Sequence, residues 1–406
     1  MARGSGFLDR YAEITVRVGA NVQPGQKLVV IASVEHVPLA RALMKAGWQA
    51  GAGNVETFYR DDYERYLLAK HGDDEMLTRT PVAYQALLES NVDGRAAAVS
   101  IMGQSAPPYF ADADEDRLAR TQTRAARELN VRLVNERLEA WTVIAYPEPG
   151  WAERVFGEPA VERLEDEIAK AVRLDRPDPV AAWREHLDRL DERCRLLDER
   201  RFDAVRLRGP GTDLTVGLAT GARWTGGTIE TAWGQVHCPN LPTEEVFTTP
   251  DRRRAEGTVR ATRPVAYPEG VLVDGIELRF EDGRVVEAKA RSGEDFLRRH
   301  LQTDEGASRL GEIALVAGSP VGASGLLFYN TLFDENATSH VAYGMGYTTP
   351  VEGAGGLDPH AQRELGVNDS TVHVDFAVGG DGVEIDGLDG SGRPTRILAG
   401  DDWLLA

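Results

Sequence analysis

Cysteine is nearly absent from this chain. Only Cys194 and Cys238 occur, and neither sits in a CxxC pair, which argues against a disulfide scaffold and a thiolate metal site. Long apolar runs are missing as well, and none approaches the roughly 20 residues that cross a bilayer. Met1 to Arg10 lacks the apolar centre of a secretory signal, so the expected location is cytoplasmic. Positive charge is scarce. With 46 Lys and Arg against 65 Asp and Glu, the formal charge is -19, which argues against duplex nucleic acid and anionic membranes as partners. Several catalytic signatures are lacking too. No GxGxxG follows the first apolar strand, and GxxxxGK[ST], HExxH and GxSxG occur nowhere. A nucleotide fold, a helical zinc protease and a serine hydrolase therefore have no sequence support. Gly103-Gln104-Ser105-Ala106-Pro107 approaches a nucleophile elbow, but proline replaces its second glycine, and Ser105 is set aside.

What remains is a globular composition. Hydrophobic residues make up 42% of 406 and charged residues 27%, enough for two or three domains. The N-terminal half alternates strand and helix patterns. Leu28-Val29-Val30-Ile31-Ala32 is a continuous apolar run, as in a buried parallel strand. A helix over about 37–47 follows, then a strand over 55–59, a helix ending near Ser90 and a strand over 96–101. A charged helix over about 115–129 and a strand over 141–145 complete the set. This order predicts an α/β domain with a largely parallel sheet, acting as scaffold or lid. Trp183, Leu187, Leu190, Cys194 and Leu197 mark one face of an amphipathic helix, and the domain boundary is placed near residue 185. The expected division is therefore 1–185 and 186–406.

From Phe202 onward, short alternating strands are separated by Gly-containing turns such as Gly209-Pro210-Gly211-Thr212 and Glu281-Asp282-Gly283-Arg284. This predicts an α+β domain rich in antiparallel strands. Its most informative stretch is Thr371 to Val378. Val372, Val374, Phe376 and Val378 would share one face of a strand, while His373 and Asp375 would share the other. An imidazole and a carboxylate side by side are common ligands of a catalytic divalent metal. Three more polar clusters supply groups of the same kind. Glu244 and Glu245 lie in the loop Asn240 to Thr248, Glu312 opens an apolar strand, and Asp334, Glu335, Asn336 and His340 precede Tyr347. A charge in a buried strand costs free energy unless it is paired or bound to metal. Two histidines, several carboxylates and no thiolate suit Zn, Co, Mn or Mg, and the number of acids suits two ions. Ions roughly 3.5–4 Å apart need a bridging carboxylate, for which Glu312 is the candidate.

Three long segments carry a family resemblance: Asn240-Leu241-Pro242-Thr243-Glu244-Glu245-Val246-Phe247-Thr248-Thr249-Pro250, Tyr329-Asn330-Thr331-Leu332-Phe333-Asp334-Glu335-Asn336-Ala337, and Ser339-His340 to Tyr347. Asn368-Asp369-Ser370, His373 and Asp375 extend it, as do Val22-Gln23-Pro24-Gly25-Gln26 and Trp141. The chain resembles the aminopeptidase T family, the M29 thermophilic-type metalloaminopeptidases, over nearly its whole length. That resemblance implies two divalent ions, usually cobalt or zinc, on Glu245, Glu312, His340, His373 and Asp375. It implies a catalytic role for Tyr347, with Glu335 a further ligand or a base. It also implies a cytoplasmic homodimer that removes N-terminal residues from peptides with a free N-terminus. Two positions depart from the family pattern. Ala377 stands where methionine is expected and Tyr343 where a smaller aliphatic residue is expected, and both are candidates to reshape the substrate pocket.

The expected chemistry is attack by a metal-activated water, with Glu335 moving the proton and Tyr347 donating to the oxyanion. Glu244 is a candidate to hold the substrate's α-amine. The rival is a mononuclear Fe(II) ring-cleaving dioxygenase of the dihydroxypyridine type, using His340, His373 and Asp375. Glu245 and Glu312 favour two ions over that reading. A non-catalytic metal- or peptide-binding protein is the third possibility, against which Tyr347 weighs.

Overall fold

The computed structural model describes residues 3–103, 108–121, 123–267 and 270–406. Ser105 lies outside them. Contacts divide the chain into two units, Met1–Arg184 with Thr228–Leu241, and Glu185–Gly227 with Pro242–Ala406. No described helix is long and apolar enough to cross a membrane.

The first unit is built on β1 (Lys27–Ser33), β2 (Asn54–Arg60), β3 (Ala97–Met102) and β4 (Ala140–Ala145), in the order β2-β1-β3-β4. All neighbours pair in parallel. Leu28, Val29 and Val30 are fully buried at its centre, which explains why β1 reads as an unbroken apolar run. Two features differ from the sequence expectation. The charged helix is two helices, Glu115–Arg120 and Arg124–Asn135. Between them the Thr121 hydroxyl donates to the Leu118 carbonyl at 2.7 Å, a local bond that competes with the helical ladder. Residues 228–241, expected in the second half, belong to the first unit. The Val143 N–H donates to Pro239 O at 2.7 Å and the Leu241 N–H to Val143 O at 3.0 Å, so this segment runs beside β4 and joins it by a single parallel bridge at Asn240.

The second unit contains an eight-stranded and a four-stranded sheet. The larger comprises β5 (Ala204–Gly209), β6 (Thr212–Leu218), β8 (Pro250–Arg260), β9 (Glu277–Glu281), β10 (Arg284–Lys289), β14 (Glu384–Leu388), β15 (Pro394–Ala399) and β16 (Asp402–Trp403). Its order is β10-β9-β8-β6-β5-β14-β15-β16, antiparallel throughout. Asp282 and Gly283 both have positive φ, as a tight hairpin turn requires between β9 and β10. The smaller sheet comprises β7 (Glu245–Thr248), β11 (Leu310–Val316), β12 (His340–Gly344) and β13 (His373–Ala377), in the order β13-β12-β11-β7. Val246, Ile313, Leu315, Val341, Tyr343 and Phe376 from it pack in one buried cluster with Val205, Leu207, Val216, Leu278 and Ile385 from the larger sheet. One face of the small sheet is thereby committed to core. Trp183, Leu187, Leu190, Cys194 and Leu197 of the helix Pro179–Arg200 are all buried, as their spacing predicts, and neither cysteine is in a disulfide.

Candidate metal centre

The opposite face of the small sheet collects the polar residues. Across antiparallel strands, directly paired residues share a face. Glu312 pairs with Ala342, and Ala342 with Asp375. Ala314 pairs with Phe247 and His340, and His340 with Ala377. Val316 pairs with Glu245, and Gly344 with His373. Glu245, Glu312, His340, His373 and Asp375 therefore project from one face of four consecutive strands. Ala314, Ala342, Gly344 and Ala377 lie among them and are too small to cover them.

The donor atoms form two overlapping groups, Glu245–Glu312–His340 and Glu312–His373–Asp375, each within 4.8 Å. Glu312 belongs to both, and its two oxygens point different ways. Oε1 lies 3.6 Å from His340 Nε2, and Oε2 lies 3.5 Å from His373 Nε2. Glu245 Oε2 is 3.1 Å from His340 Nε2, and Asp375 Oδ1 is 3.4 Å from His373 Nε2. The second ring nitrogens face main-chain carbonyls: His340 Nδ1 is 3.3 Å from Thr338 O, and His373 Nδ1 is 2.8 Å from Met345 O. Each Nδ1–H therefore donates to a carbonyl and each Nε2 turns its lone pair to the carboxylates, as in metal-binding histidines. Gly344 makes the second contact possible. Its φ is +102°, and a Cβ there would come within 2.1 Å of Val372 O.

A lone pair facing carboxylate oxygens requires a cation between them, either a proton or a metal ion. Burial alone would lower both histidines, but the carboxylates outweigh it. Glu245 and Glu312 hold His340 well above its ordinary value, and Asp375 with Glu312 raises His373 to about 9. Burial, and then the charges of Glu245 and Asp375, push Glu312 up to about 7 and Glu335 well above the carboxylate range. Glu245 Oε2 is buried without a hydrogen-bond partner. Glu245, Glu312, Glu335 and Asp375 together carry the charge that two divalent ions would neutralise with both imidazoles uncharged. The residues present fit a pair of such ions.

Glu335 lies on the short helix Glu335–Ala337, outside both donor groups. Tyr347 exposes 38% of its surface, with its ring centroid 5.0 Å from that of His373 and 5.9 Å from that of Phe247. Crowding around its hydroxyl, and then the charges of Glu312, Asp375, Glu335 and Glu245, raise the phenol well above its usual range. Three residues of the expected neighbourhood do other work. Glu244 is 1% exposed, and its carboxylate lies 3.4 Å from His186 Nε2 rather than with the donor groups. Tyr343 sits on the core face, with its hydroxyl 2.8 Å from that of Tyr267 and 2.9 Å from His300 Nδ1, so it does not shape a pocket at the polar face. Asn368 donates to Gly306 O and Gly344 O and acts as a strut for the strand ends.

Asn336, which the sequence places in the same polar cluster as Glu335 and His340, holds the centre's two edges together. Its Oδ1 accepts the Glu244 N–H at 2.6 Å, and its Nδ2 donates to Leu332 O at 2.9 Å, with Glu335 Oε1 at 3.4 Å. It is fully buried. Complete burial of an asparagine between two acidic motifs could not be read without the fold.

Known proteins resemble this chain along its whole length. The profile of the thermophilic metalloprotease (M29) family matches residues 6–403. Aminopeptidase T of Thermus thermophilus is 42% identical over 98% of both chains, and aminopeptidase 2 of Geobacillus stearothermophilus is 40% identical over 99% of both. Among solved structures, wild-type AmpT from Thermus thermophilus superposes with a TM-score of 0.90 at 39% identity, covering 98% of this chain and 99% of that one. A 2,5-dihydroxypyridine dioxygenase from Pseudomonas putida has a TM-score of 0.54 at 12% identity over 100% of this chain and 99% of its own, a likeness of fold alone. The chain belongs to the thermophilic metalloprotease (M29) family.

Proposed function

We propose that this protein is a metal-dependent aminopeptidase that hydrolyses the N-terminal peptide bond of peptides with two divalent ions, held by Glu245, Glu312, His340, His373 and Asp375. Membership of a metalloprotease family whose relatives are aminopeptidases supports the activity. The observation that carries the two-ion reading is Glu312, whose two oxygens face different histidines. Bound divalent cations supply a water nucleophile of lowered pKa and polarise the scissile carbonyl.

The chain's own residues complete the chemistry. Glu335 belongs to neither donor group, which leaves its carboxylate to take the proton from water and return it to the leaving amine. Tyr347 has its hydroxyl end among the same carboxylates and its ring against His373, where it can donate to the oxyanion that develops on the carbonyl. The mixed imidazole and carboxylate set suits Zn or Co, with Mn or Mg as further candidates. The retained Glu245 and Glu312 favour hydrolysis over single-iron oxygenation, since that chemistry needs only two histidines and one carboxylate. A homodimer belongs to the same proposal, and sedimentation velocity should then give twice the 44.4 kDa chain mass.

Metal stoichiometry and turnover in one preparation test the reading. The purified protein is stripped with a chelator and titrated with Zn, Co, Mn or Fe(II) while Leu-p-nitroanilide hydrolysis is followed. Activity that reaches its plateau at two ions per chain is expected. A plateau at one ion refutes the two-ion centre, and no anilide hydrolysis with any metal refutes the aminopeptidase.

A further inference from the structure

Beside the ligand face lies a recess of about 40 Å³, and one end of it is formed by Glu335, His340 and Asp375. Its walls include Pro264, Val265, Ala266, Leu327, Thr331 and Ala377. The strand carrying Asp375 and Ala377 is tied to the opposite wall by the Thr262 N–H, which donates to Ala377 O at 2.8 Å. The two other charged residues at the recess, Arg263 and Asp334, are already engaged. The Arg263 guanidinium donates to Leu326 O, and the Asp334 carboxylate accepts the Phe328 and Asn330 N–H groups at 2.7 and 3.0 Å. Arg263 also offsets the Asp334 charge. What the recess offers a ligand is a short, largely apolar slot that opens onto the candidate metal centre.

We infer that this slot receives the side chain of the substrate's N-terminal residue and restricts it to small aliphatic groups. The inference rests on the aminopeptidase reading above. A side chain next to the scissile bond must lie within a few ångströms of the reacting carbonyl, and this recess shares three residues with the proposed catalytic centre. Its volume sets the limit. At roughly 10–15 Å³ for each water molecule, it has room for about three. Alanine and valine side chains fit that space, leucine reaches its end, and a phenyl ring exceeds it. Ala377 sets the depth, because its methyl group lies directly beside His340 in the strand pairing and any longer side chain would project into the slot.

The test compares kcat/KM of the metal-loaded enzyme on Gly-, Ala-, Val-, Leu- and Phe-p-nitroanilide. Val should exceed Phe by at least about tenfold, since a single methylene in such a pocket changes the rate roughly 10- to 200-fold. Ala377→Met should lower the Val-to-Gly ratio at least tenfold. Leu327→Ala, which lengthens the slot, should raise the Phe-to-Val ratio by a similar factor. Metal content is measured for each variant. If Ala377→Met does not fold, the wild-type series and Leu327→Ala decide. An active enzyme that cleaves Phe as well as Val, or whose ratios move less than threefold in Leu327→Ala, overturns the pocket and leaves the aminopeptidase standing. Failure to cleave any anilide overturns both.

Discussion

Asn336 links the loop before Glu245 to the short helix that carries Glu335, so its removal should damage fold and site together. Alanine in its place leaves the Glu244 N–H, now bonded at 2.6 Å, without an acceptor in a buried position. A stranded buried amide costs about 1–3 kcal/mol, and the lost bond to Leu332 O adds about 1 kcal/mol. The sum is about 3 kcal/mol. For a unit of this size that corresponds to a fall of about 6–12 °C in its melting temperature. Differential scanning calorimetry of wild type and Asn336→Ala, both metal-loaded, reads the stability. At temperatures where the variant is still folded, kcat on an aminoacyl anilide should fall at least about tenfold, because an ångström of misplacement costs about a hundredfold. Asn336→Asp keeps the acceptor and loses the donor to Leu332 O, and should lie between the two. A shift below 2 °C, or full kcat in the folded alanine variant, would refute the role.

The remaining predictions separate ligands from proton carriers and test one buried acid. Glu245→Gln should lose metal and activity together, as judged by metal analysis beside the anilide assay, and full metal with full activity would remove Glu245 from the ligand set. Glu335→Gln should keep its metal and lose roughly 10²–10⁴ in kcat. Tyr347→Phe should lose about 10²–10³ in kcat with metal content unchanged, and retention of wild-type kcat would exclude an oxyanion role. In the first unit, burial raises Glu139 from 4.5 to about 7, with Asn91 donating to its Oε1 at 2.8 Å. A raised carboxyl favours the fold below pH 4.5 and loses that contribution as pH rises through 7. At ~1.4 kcal/mol for each tenfold step, the gap amounts to about 3 kcal/mol. Glu139→Gln should therefore be more stable than wild type by about that amount at pH 8 in chemical denaturation, with the difference gone by pH 4. A difference that does not vary with pH would show that Glu139 does not titrate in this way.

The polar face of the small sheet was legible wherever one strand carried its own alternation. His373 and Asp375 alternate with Val372, Val374 and Phe376, and that pattern alone sets the two faces of β13. The same period runs through Glu312-Ile313-Ala314-Leu315-Val316 and His340-Val341-Ala342-Tyr343-Gly344, so Tyr343 could have been assigned to the core face from its odd spacing to His340. Pairing between strands was not legible. Nothing local says that Val316 lies opposite Glu245, because register depends on partners more than sixty residues apart in sequence. Glu244 was misplaced for a related reason: it precedes the strand, and its direction is set by His186 and Asn336, both distant in sequence. In the first unit the apolar runs gave the parallel strands, but the return of residues 228–241 rests on main-chain bonds to Val143, which leave no trace in side-chain pattern.

That returning segment bears on how the protein is made. Val143 finds partners in Pro239 and Leu241, so the first unit is incomplete until residue 241 has left the ribosome, by which time residues 185–227 of the second unit have already been synthesised. Vectorial folding, with one domain finished before the next begins, is not open to this chain. A fragment cut at residue 185 would expose the β4 edge that Pro239 and Leu241 normally occupy, and unpaired sheet edges are where nascent chains aggregate. Any attempt to express the first unit alone therefore has to bring the 228–241 segment back by a designed connection.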